Sequence, residues 1–187
     1  HQGIFFALVA VSAPEAGTYP TGEVLTAFAN VCADTSCLKA VEISADQEGW
    51  KKFEPAEESH LGKLMAFGKE AAAESGVADY DEAVFRRFVA GRPLELAVTQ
   101  VGSTTGCRVY DFEASAPLKA ESLESWAKRS PSQKVEKPEV IISTTWEPGV
   151  TGNADKTQIA FFPAGSPLSA MHLSGLALMA QSTGDAK

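Results

Sequence analysis

The sequence predicts an α+β fold in which N-terminal helices pack on a largely antiparallel sheet of about four to six strands, all in a single domain. Three observations predict it. Apolar residues recur at three- and four-residue spacing through the first half, the spacing drops to two at Leu94, and the second half carries two pairs of alternating runs joined by turn-rich segments. Helices come first and strands later, which is not the alternation that builds a parallel βαβ sheet.

The chain opens on a near-continuous apolar run, Ile4 to Ala13, followed by the breaker-rich stretch Pro14 to Gly22. Residues 1–22 form an N-terminal apolar segment that is either a strand or the remnant of a secretory signal, and 23–187 form the α+β domain. Ile, Phe and Val in the run favour the strand. Val24, Phe28, Val31 and Cys32 recur at helical spacing, giving a helix from Thr21 to Asp34. A second helix starts at the capping residues Asp34, Thr35 and Ser36, turns Leu38 and Val41 inward, and stops at Gly49. The clearest helix is Glu57 to Ser75, with Leu61, Leu64 and Met65 on one stripe and Gly76 beyond its end. Asp79 opens a further helical segment through Phe85, Phe88 and Val89, closed by Gly91.

Leu94, Leu96 and Val98 then alternate with polar or small residues, and Cys107 to Ala114 alternates again beyond a glycine-bounded turn, so the two runs read as a hairpin. Ser115 to Lys128 reads as a short helix with Pro117 near its first turn, carrying Leu118, Leu123 and Trp126. Ser130 to Pro138 reads as a polar connection, and Val140 to Trp146 pairs with Gln158 to Phe162 in a second hairpin. The last apolar run, Met171 to Ala180, fits a strand or a helix almost equally, and the strand is preferred.

Composition restricts the partners. A net charge of -8 opposes broad binding to phosphate backbones, so nucleic acid is not expected. No apolar run approaches the roughly 20 residues of a membrane-spanning helix. The three cysteines, Cys32, Cys37 and Cys107, suit an exported protein with one disulfide and one odd thiol. We expect Cys32 to pair with Cys107; three reduced thiols in a cytoplasmic protein are the alternative.

No pattern commits the chain to a reaction. Gly102 to Gly106 lacks the central serine of a nucleophile elbow, and neither Ser36-Cys37-Leu38-Lys39 nor Ser125-Trp126-Ala127-Lys128 has the partner motifs that make a serine–lysine pair catalytic. Gly149 to Thr157 lacks the glycine before its lysine that a phosphate loop requires. No cofactor, metal or catalytic residue is assigned. The leading expectation is a non-catalytic exported binding or accessory domain, periplasmic or secreted, that contacts a protein partner. Its contact residues would be an aromatic cluster at one end of the sheet, Trp146 with Phe161 and Phe162, or the small basic patch Arg86, Arg87 and Arg92, or the N-terminal apolar segment. The alternative is a small hydrolase whose site assembles in space around Ser36, Cys37 or His172.

The pattern Phe28-x3-Cys32, Gly49-Trp50, Gly106-Cys107-Arg108-Val109-Tyr110 and Gly165-Ser166-Pro167 before an apolar run resembles small, uncharacterised exported bacterial proteins. The resemblance implies export and a structural role for Cys32 and Cys107, and no activity.

Overall fold

The computed structural model describes residues 18–184. Among the described residues, four α-helices accompany one eight-stranded antiparallel sheet of order β1-β2-β3-β4-β8-β7-β6-β5. The helices are α1 (Thr21–Val31), α2 (Leu38–Gln47), α3 (His60–Glu74) and α4 (Ala120–Ala127). The strands are β1 (Lys51–Lys52), β2 (Tyr80–Val89), β3 (Arg92–Val101), β4 (Thr104–Asp111), β5 (Gln133–Lys137), β6 (Ile141–Trp146), β7 (Lys156–Phe162) and β8 (Gly175–Thr183). The class is α+β as expected, with more strands than the four to six predicted.

Alternation along the strands divides the sheet into two faces. On one, Phe85, Leu96, Cys107, Val109, Leu178 and Ile159 join the buried residues of α1, α2 and α4 in the main core. On the other, Ala97 and Tyr110 pack with Leu61 of α3, and Leu64 and Met65 lie against them. A disulfide between Cys32, just past α1, and Cys107 in β4 ties the first helix to the centre of the sheet, with Cα atoms 5.7 Å apart. Cys37 keeps a free thiol.

Several expectations change. Asp79 to Val89 is not helical: Tyr80–Val89 is β2, paired along its whole length with β3. Ala83, Phe85 and Val89 are buried at even spacing, so the period is two; exposed Phe88, three residues after Phe85, supplied the misleading helical repeat. The polar connection Ser130 to Pro138 contains β5, an edge strand whose charged residues face water on both sides. The second helix begins at Leu38, because Asp34 accepts from the Ser36 N–H at 3.0 Å and closes a turn instead of capping the helix. The final strand starts at Gly175, after a 3-10 turn over Pro167–Met171. α1 begins at Thr21, within the expected 1–22 segment, and the apolar run Ile4 to Ala13 lies outside the described residues.

Candidate interaction surface

Three of the expected contact residues are interior. Trp146 is fully buried, donates its indole N–H to the Arg129 carbonyl at 3.0 Å and meets Trp126 edge-on with centroids 6.0 Å apart. Phe161, on the same face, is also in the main core. Phe162 is buried on the opposite face. They form no exposed aromatic end to the sheet, because side chains on both faces there are covered.

The basic residues separate into two roles. Arg92 is committed to Asp111, with Nε 2.8 Å from Oδ2, and its guanidinium lies over the Tyr19 ring at 5.3 Å. Arg86 is exposed and Arg87 half-buried, and among the described residues neither forms an ion pair. Directly after them in sequence comes Phe88, 76% exposed, the most exposed large apolar side chain of the described residues. Sequence reasoning missed it by assigning it to the inward stripe of a helix.

The local structure explains why this corner is open. Gly49, with φ +82, turns the chain out of α2, and β1 then pairs for two residues only, Lys51 with Arg86 and Lys52 with Phe85. Phe53 continues the line, its N–H donating to the Val84 carbonyl at 3.3 Å, before Pro55 removes the next donor. On the far side of β2, Val89 pairs with Arg92 across the tight turn Ala90-Gly91, whose φ values are 49 and 82. Phe88 is opposite Pro93. That is consistent with a ladder position that exchanges no hydrogen bond with β3, so the Phe88 N–H and C=O point to the outer edge.

Charge gathers here in an otherwise acidic protein. Lys51, Lys52, Arg86 and Arg87 surround the corner. Lys52 bridges to Glu42 at 3.4 Å, and the Arg86 guanidinium lies 5.1 Å from the Phe53 ring centroid. Beside them, Glu95 is half-buried, and desolvation holds its carboxyl above the usual range; the neighbouring His60 and Arg86 pull the other way, while Glu113 pushes it further up. His60 stacks on Phe112 at 5.1 Å, and Phe112 on Tyr110 at 4.9 Å, so the imidazole caps an aromatic column.

The groups of the expected hydrolase alternative lie apart in role. Ser36 Oγ donates to Asp34 at 2.6 Å, not to a histidine; Cys37 sits at the start of α2, and His172 ends the 3-10 turn with φ 66. Among the described residues no group of three His, Cys, Asp or Glu side chains is placed to hold a metal ion. The cavity between α4 and the β6–β7 region, lined by Leu118, Leu123, Ile142 and Ile159, is about 50 Å³, whereas an open groove beside the β1–β2 corner, lined by Lys39, Glu42, Asp46, Trp50, Lys52 and Phe85, holds about 470 Å³. No helix among the described residues is long and apolar enough to cross a membrane.

Compared with known proteins, the chain matches no family model, and no curated protein or solved structure is significantly similar to it.

Proposed function

We propose that this chain is a non-catalytic binding or accessory domain, exported to the periplasm or secreted, that contacts a protein partner through the β1–β2 corner. The observation that carries the reading is Phe88, 76% exposed on a strand that is otherwise paired and preceded by two arginines without ion pairs among the described residues. Covering the ring with a partner would supply roughly 1.5 to 3 kcal/mol. Arginine with an aromatic anchor is also the composition of energetic centres in protein interfaces. The Cys32–Cys107 disulfide supports an oxidising compartment.

The test is site-specific crosslinking in the host. A photoreactive phenylalanine analogue at position 88 is expected to give one discrete protein adduct that disappears in Arg86→Glu/Arg87→Glu. The same analogue at Phe67, also exposed but on α3, serves as the control. No adduct at 88, or the same adducts from both positions, overturns the reading.

A further inference from the structure

We infer that Arg86 is a latch with two seats, the Phe53 ring and the Glu95 carboxylate, and that ionisation of Glu95 draws its guanidinium from the first to the second. The latch stands on its own geometry, while its consequence for binding rests on the reading of this corner as a protein contact.

Register makes the two charged residues a pair. Arg86 in β2 lies directly opposite Glu95 in β3, so both side chains leave the same face of the sheet. Val89 and Arg92 close the turn, so Arg86 and Glu95, like Phe88 and Pro93, fall at a ladder position that exchanges no hydrogen bonds, where facing side chains come closest. Opposite charges so placed stabilise a sheet by pairing. Here they do not pair. Among the described residues Arg86 forms no ion pair, and its guanidinium lies over Phe53 instead, 5.1 Å from the ring centroid.

The two seats differ in kind. Phe53 follows the two-residue strand β1, and its N–H donates to the Val84 carbonyl at 3.3 Å. Its ring attracts the cation at any pH. Glu95 attracts it only when ionised. The residue is half-buried, which makes an unpaired carboxylate costly, and desolvation accordingly holds its proton above the usual range. Once the proton leaves, a guanidinium within reach supplies charge-assisted hydrogen bonds that a phenyl ring cannot match.

The other charged groups around Glu95 set the point of balance. His60 of α3 favours the carboxylate, with its ring stacked on Phe112 at 5.1 Å, and Glu113 beyond β4 opposes it. Tyr110, opposite Glu95 in β4, is buried, and burial keeps its hydroxyl protonated. Lys51, opposite Arg86 in β1, adds a like charge on the Phe53 side of the guanidinium. The consequence is a contact tuned by acidity. Below the Glu95 midpoint Arg86 rests on Phe53 with its charge unpaired; above it, one of the two arginines that precede Phe88 is neutralised and turned toward β3. Partner binding should therefore weaken as pH rises through that midpoint.

The experiment is an NMR pH titration of the intact, oxidised protein, following the Glu95 carboxyl carbon, the Arg86 Nε–H and the Phe53 ring in the native chain, Glu95→Gln and Phe53→Leu. The Arg86 and Phe53 signals should move with the Glu95 midpoint, and contacts between the Arg86 side chain and the Phe53 ring should fade above it. Glu95→Gln should abolish both changes and keep Arg86 on the ring throughout. Phe53→Leu removes the competing seat, so the Glu95 midpoint should fall by about half a pH unit, the size of an exposed cation–π contact. A midpoint that stays put in Phe53→Leu, or Arg86 signals that ignore Glu95 or still titrate in Glu95→Gln, overturns the latch. Crosslinking from position 88 on either side of the midpoint separates the two readings. If the latch signals appear and no adduct forms at either pH, the contact reading fails and the latch stands; if adducts form while Arg86 ignores Glu95, the latch alone fails. An adduct yield that does not fall across the midpoint overturns the consequence for binding.

Discussion

Arg92 closes on Asp111 with two parallel hydrogen bonds, Nε to Oδ2 at 2.8 Å and a terminal nitrogen to Oδ1 at 3.0 Å, and the Asp111 side chain is fully buried. The Tyr19 hydroxyl donates to the same carboxylate at 2.7 Å and the Glu113 N–H at 3.1 Å, so four donors satisfy it. Burial and the hydrogen bond to Asp111 both raise the Tyr19 hydroxyl's affinity for its proton. Removing the guanidinium strands a desolvated charge. Arg92→Ala should therefore cost about 3 to 5 kcal/mol in urea denaturation, and Tyr19→Phe about 1.5 to 3 kcal/mol. A loss below about 1 kcal/mol for Arg92→Ala would return this arginine to the exposed basic patch.

Cys32 and Cys107 are separated by 75 residues, and closing a loop of that length restricts the unfolded chain by about 4 kcal/mol in the chain-entropy account. Cys32→Ala/Cys107→Ala should lower stability by that order in urea, with the direction shared by reduction of the native protein. Intact mass after alkylation without reduction should show one adduct, on Cys37, which is half-buried. Three adducts would remove the disulfide and the argument for an oxidising compartment.

Legibility in the sequence followed how cleanly burial separates the two faces of each element. The β3–β4 and β6–β7 hairpins were readable because Leu94, Leu96 and Val98, and Ile159 and Phe161, alternate with more exposed or smaller neighbours. β2 was not, since Arg87 lies on the inward face and Phe88 on the outward one, inverting the rule at the positions that form the candidate site. β5 carries one half-buried residue, Val135, and an edge strand that buries nothing resembles a linker. The Cys32–Cys107 pairing was legible in part. The commitment of Arg92 to Asp111 was not, because the two meet only after β3 and β4 pair.

Gly152 and Asn153 join the β6–β7 loop to the segment between α1 and α2. Asn153 Oδ1 accepts from the Thr35 N–H at 2.9 Å, its Nδ2 donates to Asp34 at 3.1 Å, and its own N–H donates to the Ala33 carbonyl at 3.2 Å. Thr35 is fully buried, and its hydroxyl also bonds to that of Ser182 in β8. A Cβ on Gly152 would collide with the Ala33 backbone, and φ is +49 there. Gly49, with φ +82, has open space around it. Gly49→Ala should thus cost about 1 to 2 kcal/mol from backbone strain alone, and Gly152→Ala clearly more, through the added collision. Equal losses in urea denaturation would show that the loop yields without disturbing Asn153.

Glu95 contributes a pH dependence of known sign. Its carboxyl is raised above the ordinary value of 4.5, chiefly by desolvation, so the folded protein holds this proton more tightly than the unfolded chain does. Stability from this group is present below the unfolded value and is lost as pH rises through the folded one. At pH 7 the unfolded chain gives up this proton more readily than the folded one, so the group is a net cost. Glu95→Gln keeps the shape and removes the charge, so it should raise the melting temperature at pH 7, with the gain shrinking toward zero below pH 4. Arg86 opposes the upward shift, and Arg86→Ala should move the Glu95 titration, followed by carboxyl carbon NMR, to still higher pH. A Glu95 titration that stays put in Arg86→Ala would show that the arginine is turned wholly to solvent, leaving Phe53 as its contact within the corner.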